Sequence, residues 1–193
     1  MLVWSICRFS IKAALLLFLT VQTVSGRPLP ACPAGSADKP GESINWATGA
    51  TSRAVDFELR DQYNQLISYR FPKSKPTILI FGDRKGSEQI EGWVKPIWAQ
   101  YQDRVDQRGV AVLSAVPSFM RGIIRSMFKS RVKYPVLLDW TGEVAKSYSY
   151  QSGQANLILI DQQGQIVLRL TGGVGKEGLQ QLYARIDRLL TVS

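Results

Sequence analysis

Residues 77–93 read TILIFGDRKGSEQIEGW. The first five are a continuous apolar, β-rich run, the pattern of a strand buried on both faces. After Gly82–Gly86 the pattern changes. Ile90, Trp93, Val94, Ile97, Trp98, Tyr101 and Val105 recur at spacings of three and four, the signature of an amphipathic helix. Ser87 reads as the N-cap of this helix, with Glu88 and Glu91 near its positive end. Pro96 should kink it, because proline cannot donate to the Gly92 carbonyl and crowds it. Strand, tight turn and helix together put the turn at the strand's C-terminal edge, where open α/β sheets hold ligands.

On the N-terminal side, residues 55–59 (VDFEL) and 66–69 (LISY) alternate apolar and polar around a turn at 60–65, a β-hairpin pattern. On the C-terminal side, short β-rich runs at 110–114, 136–138, 157–160 and 166–170 are separated by helical patterns at 118–129 and 141–148, and a last helix covers 176–190. The order is hairpin, β, α, β, α, β, short α, β, β, α. Its βαβ part demands parallel central strands with helices packed over them. The 157–170 pair, turning at Asp161-Gln162-Gln163-Gly164, adds an antiparallel hairpin. The fold class is therefore α/β: a mixed sheet flanked by helices, with an extra N-terminal hairpin.

Of the 193 residues, 45% are hydrophobic and 20% charged, which suits one globular domain. The chain has no histidine. Ser-His-Asp and Cys-His catalysis and histidine-based zinc sites are thereby excluded. Residues 1–26 read as a signal peptide: Arg8 and Lys12, then the apolar stretch from Ala13 to Val21, then small residues at Val24-Ser25-Gly26. The apolar run is short for a membrane span. Arg8 and Lys12 are the only charges in this leader, so its removal lowers the net charge from +9 to +7. Residues 27–53, rich in Pro, Gly, Ser, Thr and Ala, read as a flexible lead-in, and 54–193 as the domain. Cleavage leaves Cys32 as the sole thiol, which cannot form an internal disulfide. LPAC at 29–32 resembles a bacterial lipobox, so lipid anchoring at Cys32 is the lesser alternative to a periplasmic or secreted product. Behind such a leader, the positive charge points to an anionic surface or acidic protein rather than to nucleic acid.

Five words in order are similar to those of the thioredoxin-like superfamily, nearest its peroxiredoxin and redoxin branch: VDFELRD (55–61), KPTILIF (75–81), YPVLLD (134–139), GEVAKSY (142–148) and LILIDQQGQIV (157–167). The resemblance implies a thioredoxin-like fold over about residues 54–190 and, in ordinary members, thiol peroxidase or thiol-disulfide oxidoreductase activity. The peroxiredoxin proline, threonine and peroxidatic cysteine would fall on Asp83, Ser87 and Ile90, and that branch's arginine on Ala155. The two thioredoxin cysteines would fall on Gly86 and Gln89, or on Glu88 and Glu91 if Pro96 sets the register; the thioredoxin cis-proline would also fall on Ala155. No register supplies a thiol. Serine is no substitute, since its hydroxyl stays protonated and no base is present to activate it. The expectation is an exported redoxin-like domain that binds a protein partner or small anion at the 81–93 turn through Asp83, Arg84, Lys85, Ser87 and Ala155. The alternative is a thiol enzyme using Cys32 or a partner's thiol. No cofactor is implied.

Four other patterns compete with bland readings. The free amides of the helix start, with Arg84 and Lys85, could cradle an anion. Glu88 and Glu91 share a helical face but lack further ligands for a metal. GVGKEG at 173–178 matches the dinucleotide-binding spacing, yet the chain leaves no room for the following strand, so it reads as a loop before the last helix. Arg121, Arg125 and Lys129 line one face of the second helix while Phe119, Ile123, Ile124, Met127 and Phe128 crowd another; such a helix can lie on a membrane, but burial of its apolar face on the sheet is the expectation.

Overall fold

A computed structural model describes residues 52–191 of the 193. The leader at 1–26, Cys32 and nearly all of the lead-in fall outside the described residues. Seven strands are formed: β1 (Phe57–Asp61), β2 (Leu66–Tyr69), β3 (Thr77–Gly82), β4 (Asp106–Val112), β5 (Val136–Asp139), β6 (Asn156–Ile160) and β7 (Ile166–Thr171). Four α-helices accompany them: α1 (Ser87–Tyr101), α2 (Arg121–Arg131), α3 (Glu143–Ser147) and α4 (Lys176–Thr191). The strands make one mixed sheet in the order β2-β1-β5-β4-β3-β6-β7. β3, β4 and β5 are parallel, while β6 runs antiparallel to β3, β7 to β6, and β1 to both β5 and β2.

Every residue of β3 is buried, as the unbroken apolar run requires. Its side chains alternate between two layers. Leu79 and Phe81 join Phe57, Tyr69, Val110, Leu137 and Tyr148 on the face covered by α3. Ile78 and Ile80 join Trp93, Ile97, Tyr101, Leu182 and Ile186 on the face covered by α1 and α4. Each such aliphatic side chain stabilises the fold by roughly 1.5–3 kcal/mol on burial. The buried Gln62 closes the hairpin against β5: its Oε1 accepts from the Val136 N–H at 2.8 Å and its Nε2 donates to the Tyr134 carbonyl at 2.9 Å.

Two expectations are corrected. β4 begins at Asp106 rather than 110, because its charged start is neutralised: Asp106 meets Lys73, Arg108 and the Tyr69 hydroxyl. The second concerns α2, which follows a 3-10 turn at Ser118–Met120; no residue of either is buried. Phe128 and Val132 pack partly against Ala111, Val136 and Leu138. Phe119 and Ile123, on the other flank of the helix, are 81% and 57% exposed. The apolar stripe is wider than the strip of sheet that α2 covers.

Residues 173–175 of the GVGKEG segment lie in the loop before α4, while 176–178 form its first turn, and the surroundings of this junction explain its small residues. Trp93 Nε1 donates to the Gly172 carbonyl at 2.9 Å, and a Cβ at Gly178 would lie 3.0 Å from the Trp93 ring. Among the described residues no helix is long and apolar enough to cross a membrane.

Candidate functional site

β3 delivers Asp83 to the C-terminal edge of the sheet, and its carboxylate is fully engaged there. Oδ1 accepts from the N–H groups of Lys85 and Gly86, both at 2.9 Å. Oδ2 accepts from Ser152 Oγ and the Gly153 N–H, both at 2.7 Å. The Asp83 N–H donates to Tyr150 Oη at 2.9 Å. One aspartate thus clasps the β3–α1 turn to the loop before β6. Partial burial pushes the Asp83 carboxyl up, but the hydrogen bonds from Gly86, Ser152, Gly153 and Lys85 outweigh it and hold the group below the usual carboxylate value. Burial pushes the Tyr150 phenol up to about 12, so it is neutral at physiological pH.

The helix start differs from the expectation. Gly86, not Ser87, precedes α1 as its cap residue. The Ser87 N–H donates to the Asp83 carbonyl at 2.9 Å and its Oγ to the Arg84 carbonyl at 2.8 Å. The Glu88 and Gln89 amides donate to the Lys85 and Gly86 carbonyls at 3.4 and 3.0 Å. The amides of residues 85–89 are therefore all occupied, and the Asp83 carboxylate sits where an external anion would. A backbone cradle for an anion is overturned; Arg84 and Lys85, both exposed, are the cations that the turn presents.

Ala155 is buried and lies against this turn. Its N–H donates to Gln89 Oε1 at 2.9 Å, and its carbonyl accepts from Gly172 at 2.8 Å. Asn156 locks the same loop by donating to the Gln151 and Gln154 carbonyls at 3.0 and 3.1 Å. Gly86 touches it most closely: a Cβ there would stand 2.5 Å from the Gln154 carbonyl oxygen and 3.1 Å from the Ala155 nitrogen. The two residues facing Ala155 are thus Gly86 and Gln89, the pair obtained by aligning thioredoxin's cysteines on the strand. Glu91 instead pairs with Lys95 at 3.1 Å, and Glu88 is exposed. Among the described residues no three His, Cys, Asp or Glu side chains group to hold a metal ion.

Beside the clasp opens a cleft of about 310 Å³. Asp83, Tyr150 and Ser152 form one wall, Val112, Ser114 and Ala115 at the end of β4 a second, and Gly142, Ala145 and Lys146 of α3 a third. It lies off the C-terminal ends of parallel strands, as the topology requires, and its size suits a small molecule. Of the expected site residues only Asp83 lines it. Lys146 and Gly142 were visible in the GEVAKSY word, while Tyr150, Ser114 and Ser152 carried no signal, because only the tertiary fold brings their loops together.

No family model and no curated protein matches the chain. Solved structures do. A pneumococcal exposed lipoprotein thioredoxin from Streptococcus pneumoniae is 20% identical, with TM-score 0.54, over 68% of this chain and 99% of its own. The thioredoxin domain of a thiol-disulfide oxidoreductase from Bacteroides vulgatus is 18% identical, with TM-score 0.53, over 72% and 99%. A thiol-disulfide oxidoreductase from Bacteroides fragilis is 18% identical, with TM-score 0.52, over 69% and 98%. Identities this low speak to architecture alone, and on that the sheet order, the flanking helices and these likenesses agree: the chain has a thioredoxin-like fold.

Proposed function

We propose that this is an exported thioredoxin-like module without thiol catalysis, which binds a small anion or an anionic group of a protein partner at the cleft beside the 81–93 turn. The observation that carries the reading is the contact of Gly86 with the Gln154 carbonyl. Disulfide exchange and peroxide reduction need a thiolate nucleophile. Here the first position facing Ala155 has no room for any side chain, and the second holds an amide engaged with the backbone. Arg84 and Lys85 on the turn and Lys146 in the cleft supply positive charge beside the neutral Tyr150 phenol. Export rests on the leader pattern at 1–26, with lipid anchoring at Cys32 as the lesser form. The redoxin branch rests on the word resemblance and the β1–β2 hairpin.

A second reading is favoured by the names of the structural neighbours, which include thioredoxins and thiol-disulfide oxidoreductases. On it, Cys32 or a partner's thiol would act at this edge.

Calorimetric titration with inorganic phosphate tests the binding claim. Arg84→Ala with Lys85→Ala, and separately Lys146→Ala, should each weaken binding by about 1–3 kcal/mol, the range of charge-assisted hydrogen bonds. Melting temperature should barely move, since exposed charges contribute little to stability. Unchanged binding in both variants would make the turn scaffolding only.

A further inference from the structure

The chain carries no acidic residue between Asp106 and Asp139, while Arg108, Arg121, Arg125, Lys129, Arg131 and Lys133 lie in that span. The part that forms the 3-10 turn and α2 buries no residue fully. Phe119 and Ile123 stand four apart on its outer side and are 81% and 57% exposed. The positions around them are small: a Cβ at Gly122 would meet nothing within 4 Å, and Ser126 and Ser130 are exposed. The inner flank is held down by Phe128, and Arg121 lies over the Trp140 ring at 5.6 Å from its centroid. The helix is therefore fixed over β4 and β5 while presenting two large apolar side chains, a run of small residues and a fringe of cations.

We propose that α2 and its 3-10 lead-in dock on the surface of an anionic lipid bilayer, with Phe119 and Ile123 inserted at headgroup depth and Lys129, Arg131 and Lys133 over the phosphates. The charge pattern selects this occupant. An interfacial helix combines apolar residues on one side with Lys and Arg beside them, and it lies in the membrane plane rather than crossing it. Each basic residue adds attraction to anionic headgroups, and no acidic residue in the span opposes it. An acidic protein would account for the cations but would need a matching apolar pocket for the 81% exposed Phe119, whereas a bilayer takes up a protruding aromatic side chain without one. The arrangement has a functional corollary. Ala115, which lines the cleft, lies just before this 3-10 turn, so docking would hold the cleft close to the bilayer. The inference itself stands on α2 and not on what the cleft binds.

The test is co-sedimentation of the full chain with vesicles of equimolar phosphatidylglycerol and phosphatidylcholine, compared with pure phosphatidylcholine. The readout is the change that each α2 variant makes in the ratio of the two partition coefficients, because the N-terminal segment, with Arg8 and Lys12, contributes equally to wild type and variants. Wild type should favour the anionic vesicles roughly tenfold or more, and added salt should reduce that preference. Lys129→Gln with Lys133→Gln should lower the ratio several-fold, and Phe119→Ser with Ile123→Ser should lower binding to the anionic vesicles. All four side chains are on exposed positions, and a circular-dichroism melt of each variant confirms the fold. A wild-type ratio near one, or ratios and binding unchanged in both variants, would overturn the proposal. So would binding to poly-glutamate, lost in both variants, with no preference for anionic vesicles; that outcome would assign the face to an acidic protein.

Discussion

Aspartates end several strands of this sheet, and each turns its carboxylate back onto backbone amides. Asp61 accepts from Tyr63 and Gln65, Asp139 from Gly142 and Ala145, and Asp161 from Gln165. Asp83 does the same and adds Ser152 and Gly153 from a distant loop. Asp83→Asn should therefore destabilise the fold by about 1–2 kcal/mol in urea melts, the lower range for charge-assisted bonds because the site is partly solvated. The sign with pH follows from the lowered pKa. The stabilisation is complete above the ordinary carboxylate value of 3.8 and is lost as pH falls below it, through the lower folded value. The difference between wild type and Asp83→Asn should hold steady from about pH 7 to 5 and shrink below about pH 4. Gly86→Ala should cost about 1–3 kcal/mol by forcing the Gln154 carbonyl away, whereas Gly122→Ala, into open space on a helix, should stabilise by up to about 1 kcal/mol. Equal effects of the two glycine changes would contradict the close approach. The turn glycine and Asp83 were visible in the sequence, but their partners were not. Gln154 and Ser152 lie far along the chain, and a hydrogen bond between distant loops leaves no local pattern.

At the scale of elements, legibility followed burial. β3 and β6 were plain, because strands buried on both faces read as unbroken apolar runs. β4 was placed late because Asp106 and Arg108 look like loop until Lys73 and Tyr69 are brought beside them. Periodicity found α2 but not its exposure. A helix's apolar arc shows which side chains can be buried, while the area of sheet facing it sets how many are. The α1–α4 contact is the strongest test at this scale. Trp93 is 2% exposed and spans both helices and the loop between β7 and α4. Trp93→Ala should cost about 3–5 kcal/mol, with the unfolding midpoint in urea as the readout. A loss near that of an exposed residue would place the core elsewhere.

For the molecule as a whole, architecture and chemistry separate. The element order carried the mixed α/β sheet in the sequence, because right-handed βαβ crossovers and a closing antiparallel hairpin allow few arrangements, and the five words carried its likeness to the thioredoxin-like superfamily. The site was only partly legible: the sequence showed that no thiol could stand at the turn, but not that Gly86 closes the space for one or that Tyr150 and Lys146 line the neighbouring cleft. The central claim is that this fold works here without thiol chemistry. It is tested most directly by insulin-disulfide reduction and peroxide turnover with the full chain, wild type beside Cys32→Ser, in the presence of dithiothreitol. The account predicts that neither protein exceeds the uncatalysed rate in either assay. Robust activity in the wild type that Cys32→Ser abolishes would contradict it.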